Sequence, residues 1–245
     1  RDYMVLDIET SGTDSATDLI LNIGHVIVED GKVVSRGDGL LDWTKEGRVD
    51  QQWLFSKMAQ TRSQMASRGR TYQMHYADLA ERGEDPLDVL QGYYELVREQ
   101  QAAKYAFVMH NGYNFDAPWL CANWRRWLGK EFDFGPNCIW DTGMIVKASQ
   151  LNSVPDRADT MQSWSKRVGG IRAKGVYWSL DAHCIPTYDL AKKHNLDLAA
   201  AHGAGFDTYV THLLFEHFRE IASQHPPDGG DVREDDGGRY SHLGG

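Results

Sequence analysis

The segment Tyr3-Met4-Val5-Leu6-Asp7-Ile8-Glu9 constrains the chain more than any other. Its apolar alternation and its length read as a β-strand. In a strand, residues i and i+2 share a face. Met4, Leu6 and Ile8 then face one way, and Tyr3, Val5, Asp7 and Glu9 the other. Two carboxylates ~6.5–7 Å apart along a strand, entering the turn Thr10-Ser11-Gly12, are poor core material. Buried together they call for a cation; left in water they are a solvated strand end. The spacing alone leaves both readings open.

The rest of the pattern builds a mixed sheet around that strand. A second apolar segment, 19–29, meets the hairpin signal Asp30-Gly31 and then Lys32-Val33-Val34, so the start reads as a β-meander. Helix is predicted within 50–82, where Trp53, Leu54, Met58, Met65, Tyr72 and Met74 are scattered among polar residues. Asp85-Pro86 opens a clearer helix, with Val89, Leu90, Tyr93, Tyr94 and Val97 at 3-and-4 spacing. A strand follows at 105–109. Another amphipathic helix starts at Asp116 and stops at Gly129, with Ala117, Leu120, Cys121, Trp124, Trp127 and Leu128 on one face. A short strand is expected near Cys138-Ile139-Trp140, and a last long helix over 206–222. Residues 150–185 fit no period and carry Arg157, Lys166, Arg167, Arg172 and Lys174. Strands first, then strands alternating with helices, predict a mixed α/β sandwich.

Composition bounds the function classes. The 245 residues are 41% apolar and 25% charged, which excludes general disorder. The longest apolar run, 105–109, falls far short of the ~20 residues that span a bilayer. No charged, then apolar, then small-residue leader opens the sequence. The three cysteines are odd in number and lack C-x-x-C spacing, against a disulfide scaffold or a zinc module. No membrane association and a reducing, cytoplasmic location are the expectation. A net charge of −9 argues against coating nucleic acid through bulk charge, but not against a nucleic-acid enzyme with local cations. Eight tryptophans and eleven tyrosines serve as core filling or as surfaces for base stacking. Residues 1–225 read as one domain. Residues 226–245 hold six glycines, two prolines and five acids, and read as a disordered or docking tail.

Two further clues come later in the chain. Asp116 lies within His110-Asn111-Gly112-Tyr113-Asn114-Phe115-Asp116, after a strand and at the start of a helix, where Asp also serves as an ordinary N-cap. His202-Gly203-Ala204-Gly205-Phe206-Asp207 puts two glycines before a helix, a His on the loop and an Asp in the first turn. A His is the natural general base near neutral pH. Alone, each segment also fits a capping Asp and a surface His.

In order, D-x-E, N-x4-D and H-x4-D resemble the three motifs of the DEDDh (DnaQ-like, RNase-T-like) family of 3′→5′ exonucleases. Trp140-Asp141-Thr142 resembles the Asp-Thr that the family carries between its second and third motifs. The resemblance spans residues 3–222. It implies an RNase H-like fold: a central mixed sheet, antiparallel in its first strands, with helices on both faces. It implies that Asp7, Glu9, Asp116 and Asp207 hold two divalent ions, Mg²⁺ or Mn²⁺, and that His202 is the general base. It places Thr10, Ser11, Gly12, Thr13, Asn111 and Phe115 at the substrate. The implied substrate is the 3′ end of single-stranded DNA or RNA, and the product a nucleoside 5′-monophosphate. The alternative is an inactive or minor exonuclease-fold subunit that acts by binding nucleic acid, a polymerase or a second copy of itself. Thr13 stands where the family often has a bulky apolar residue. Residues 44–82 and 146–186 exceed the minimal family core, and the cations at Arg125-Arg126 and 166–174 are candidates to hold the backbone.

Overall fold

The opening alternation becomes three antiparallel strands, β1 (Tyr3–Thr10), β2 (Ile20–Glu29) and β3 (Lys32–Leu40). The structure, a computed structural model, describes residues 2–67, 72, 74–180, 184–197 and 203–224. Asp30 and Gly31 join β2 to β3 with φ of 49° and 75°, both left-handed as a two-residue hairpin loop requires. Two further strands, β4 (Ala106–Met109) and β5 (Ile139–Asp141), add in parallel beyond β1, so the sheet order is β3-β2-β1-β4-β5.

Helices cover both faces. On one side Met4, Leu6, Ile8, Ile23 and Phe107 form the main core with Trp43, Leu54, Leu90, Leu120 and Trp124. These come partly from α1 (Gln51–Ser67), α2 (Tyr76–Arg82), α3 (Pro86–Ala102) and α4 (Asp116–Asn123), which continues as a π turn over Trp124–Leu128. On the other side Tyr3, Val5, Val26, Val28 and Val108 pack with Phe215 of α8 (Ala204–Gln224). The two faces of β1 divide as the alternation predicts, and both are buried.

The capping signals hold. Asp85 accepts from Leu87 N (2.8 Å) and Asp88 N (3.4 Å) ahead of Pro86, and Gly129 ends the α4 continuation at φ 64°. The region without a period is corrected by the structure: it holds α6 (Met161–Gly170), preceded by α5 (Thr142–Leu151) and followed by α7 (Ile185–Lys193). Thr160 and Ser163 form a reciprocal capping box at the start of α6, and Trp164 and Val168 are its buried pair. Ten residues between two loops give too few turns for the period to stand out. Cys121, Cys138 and Cys184 are free thiols. Among the described residues no helix is long and apolar enough to cross a membrane. His202 and the expected tail, 226–245, lie outside the described residues.

Candidate metal centre

β1, β4 and β5 run parallel, so their carboxyl ends lie side by side at one edge of the sheet. In α/β folds this is where ligands bind, because chain turns there leave a crevice. Asp7 and Glu9 occupy this end of β1 and project onto the face covered by α8. Asp207, in the first turn of α8, meets them: one carboxylate oxygen from each of Asp7, Glu9 and Asp207 lies within 4.8 Å of the others.

The start of α8 is held there by β2. Asn22, directly across from Glu9, accepts from Ala204 N through Oδ1 (3.0 Å). Its Nδ2 donates to Asp38 Oδ2 (3.1 Å) and Gly39 O (2.8 Å) of β3. Gly24, directly across from Asp7, lets the helix come close: a Cβ there would sit 2.3 Å from Ala204 O. Strand-interior glycine often marks such a close backbone approach. Sequence reasoning missed both residues. A lone Gly inside the apolar run of β2 was the available signal.

Asp116 is the first residue of α4, but it does not cap it. Phe115 precedes it without a side-chain cap, and Asp116 Oδ1 instead accepts from Ile8 N of β1 (3.1 Å). Its Oδ2 is buried without a hydrogen-bond partner among the described residues, as is Asp7 Oδ2. The ordinary-cap reading of Asp116 is therefore set aside, and its carboxylate belongs with the pair on β1.

The loop before Asp116 is fixed by β5. Asp141 caps α5 by accepting from Met144 N (3.1 Å), and the same Oδ1 accepts from Asn111 N (2.9 Å). Asn111 sits in the left-handed region at φ 67°, a conformation Asn tolerates, and Asn114 Nδ2 donates to its Oδ1. His110 bonds Thr142 Oγ1 (3.0 Å) through Nδ1 and the Trp178 carbonyl (2.6 Å) through Nε2. Phe115 is half-buried beside Trp119.

The turn after β1 is braced from outside. Thr10 Oγ1 donates to Gly12 O, and Ser11 Oγ accepts from Leu19 N. Thr61 of α1 donates to Ser11 O, and Tyr72 donates to Thr10 O. A Cβ on Gly12 would overlap the Asp18 carboxylate, which pairs with Lys57 of α1 at 2.7 Å. Thr10 and Ser11 are buried; Thr13 is exposed. The long 44–82 segment thus clamps the turn that follows the two acids. Of the cations considered for the backbone, Arg125 is held by both oxygens of Glu131 at 2.6 Å, and Arg126 donates to Ala16 O.

Electrostatics set the demand of the site. Burial, then Asp116, Asp207 and Glu9, raise Asp7 well above the usual carboxylate range. Burial, then Asp207 and Asp116, do the same to Glu9. Asp116 is raised by burial and by Asp141 and Asp207, against its backbone hydrogen bonds. Burial pushes Asp141 up to about 6, despite the amides it accepts from. Two unit charges 4.8 Å apart repel by about 3.5 kcal/mol at an effective dielectric of ~20. The donor set is all hard carboxylate oxygen, and Asp7 Oδ2 and Asp116 Oδ2 are buried with no hydrogen-bond partner among the described residues. These features fit a divalent ion such as Mg²⁺ or Mn²⁺.

No protein-family model and no curated protein matches the chain. Solved structures do resemble it. E. coli exonuclease I in complex with a dA16 oligonucleotide matches at TM-score 0.52 and 13% identity, over 92% of this chain and 41% of that one. The zinc-bound E. coli ExoI–ssDNA complex matches at TM-score 0.51 and 14% identity, over 92% and 41%. An ExoI/SSB-Ct complex matches at TM-score 0.50 and 12% identity, over 90% and 42%. The chain therefore spans about two-fifths of the length of these proteins. The likeness is one of fold: the chain has the RNase H-like α/β fold of the exonucleases.

Proposed function

We propose that this chain is a metal-dependent 3′→5′ exonuclease that removes nucleoside 5′-monophosphates from the 3′ end of single-stranded DNA or RNA. The observation that carries the reading is the convergence of Asp7, Glu9 and Asp207 within 4.8 Å, with Asp116 bonded to the same strand. Four acids from β1, α4 and α8 meet where a fold needs none. The motif order of the sequence and the exonuclease fold support the same reading.

Asp7, Glu9, Asp116 and Asp207 would hold the divalent ions. Bound there, Mg²⁺ or Mn²⁺ supplies Lewis acidity and neutralises charge developing on a phosphodiester. The chain's residues do the rest. His202, five residues before Asp207, takes the proton of the attacking water as general base. The water oxygen bonds to phosphorus, the P–O3′ bond breaks, the released O3′ takes a proton from solvent, and the terminal residue leaves as a nucleoside 5′-monophosphate. Asn22 and Gly24 hold Asp207 to the acids of β1, and Asp141 holds the loop that leads to Asp116. Thr10 to Thr13, which follow Glu9 in the chain, and Asn111 and Phe115 of the loop before Asp116 form the proposed seat of the terminal nucleotide.

The test is digestion of labelled linear and closed circular single strands, DNA and RNA in parallel, with Mg²⁺ or Mn²⁺ and with chelator. Linear strands should shorten from the 3′ end only with metal, and circles should survive. Cleavage of circles at the linear rate, or full activity in chelator, would refute the proposal.

A further inference from the structure

Among the described residues, one buried cation has no acidic partner. Lys147, on α5 six residues after Asp141, is only 6% exposed. Its Nζ donates to the Gly169 carbonyl at 2.9 Å, at the end of α6. An ammonium has three donors. No hydrogen bond or ion pair to a carboxylate is found for this Nζ among the described residues, and burial alone pushes its pKa below the ordinary lysine value. The stem is buried while the residue lines an open cavity, where an anion can meet the ammonium.

Lys147 lines an open cavity of about 440 Å³ together with Arg172, Lys174 and Trp178. None of the described residues lining the cavity is acidic. Arg172 and Lys174 are exposed on the loop after α6. The Trp178 ring lies 6.0 Å from Lys147 Nζ on one contact and stacks on His110, at 6.0 Å and 24°, on another. Three cations beside an indole make a place for phosphate next to a base-sized flat surface.

The cavity also adjoins the loop that leads to Asp116. His110 opens the loop that ends in Asp116 and is bonded to the Trp178 carbonyl. Gly169, whose carbonyl takes the Lys147 bond, lies against that same loop: a Cβ on it would make van der Waals contact with Asn114 Nδ2 at 3.4 Å. The wall of the cavity is therefore continuous with the loop that positions an acid of the site.

We infer that Lys147, Arg172 and Lys174 form a phosphodiester subsite that holds the single strand upstream of its reacting 3′ end, with Trp178 beside it. The inference rests on the nuclease reading for what the strand is doing there. It explains how a chain of net charge −9 grips a polyanion: through a local cationic cavity against the loop that leads to Asp116.

The test uses the full chain and fluorescent oligodeoxythymidylates of increasing length, with thymidine 5′-monophosphate as the competing probe. Binding is measured by anisotropy across a salt series for wild type, Lys147→Met and the surface pair Arg172→Gln/Lys174→Gln. The surface pair guards against misfolding of Lys147→Met, and melting temperatures are recorded for all three. Each lost phosphate contact should lower the log–log salt slope by ~0.7, so the surface pair should lose about 1.4. Between ~50 and ~200 mM salt that slope change is about sevenfold in affinity, seen for long strands and absent for the mononucleotide. An unchanged slope would mean a solvated basic face and overturn the inference. Equal loss for mononucleotide and long strands would also overturn it, by placing the cavity at the product rather than the strand. Hydrolysis by wild type is read separately: its absence refutes the nuclease reading while the salt slopes still report on the cavity.

Discussion

Replacing Gly24 by Ala tests how the site is assembled, because it touches no acid. A Cβ on Gly24 would sit 2.3 Å from Ala204 O, 2.4 Å from Ala204 C and 2.8 Å from Gly205 N. All three are backbone atoms at the start of α8, so no side chain can swing aside. To regain a contact of 3.4 Å, the helix start must retreat by about 1.1 Å. Asp207 rides on the first turn of that helix, and Gly24 lies across from Asp7. The retreat therefore opens the cluster formed by Asp7, Glu9 and Asp207. Overpacking of this kind costs ~1–3 kcal/mol of stability. A misplacement of ~1 Å at reacting groups costs on the order of 10² in rate. The assays are 3′ digestion of a labelled single strand and the melting shift on adding Mn²⁺. Gly92→Ala serves as the control: this exposed glycine in α3 has open space around its Cβ, and the change should stabilise by ~0.5–1 kcal/mol. Wild-type turnover and an undiminished metal shift in Gly24→Ala would refute the reasoning.

Three further outcomes are expected. Asp7, Glu9 and Asp116 are raised when folded, so their contribution to stability is present below the unfolded value of ~4 and lost as pH rises. Asp141, at about 6, adds to that loss between roughly pH 4 and 6, and thermal melts in chelator with Asp7→Asn beside wild type should show a shallower decline for the variant. His202→Ala should lower the rate by ~10²–10⁴ while leaving the Mn²⁺ melting shift intact, measured by single-turnover digestion. Asp85→Ala removes the cap of α3 and the Arg48 ion pair at 2.8 Å, and should cost ~1 kcal/mol in urea unfolding with no change in metal binding.

The acids of β1 were legible because alternation fixes direction: once Tyr3 and Val5 are taken as inward, Asp7 and Glu9 must follow them onto the same face. The hairpin at Asp30-Gly31 and the cap at Asp85 were legible because turn and cap chemistry is local. The role of Asp116 was not decided by its own neighbourhood. Its bond partner, Ile8 N, lies on another strand, and only the fold brings the two together. Asn22 and Gly24 stayed silent for the same reason, since their work is done against a helix about 180 residues further on. Lys147 stands in sequence outside any predicted element; its burial comes from packing against the end of α6. Helices α5, α6 and α7 were missed because nine or ten residues between loops offer little periodicity.

The most direct test of the metal centre is proton release. Acids whose folded pKa values are raised hold protons that a divalent ion must displace. Calorimetric titration of Mn²⁺ into the protein, in two buffers of different ionisation enthalpy, counts those protons at each pH. The account predicts saturable binding with proton release that shrinks as the pH is raised, and its loss in Asp207→Asn. Binding with no proton release at either pH, or binding unaffected by Asp207→Asn, would contradict it.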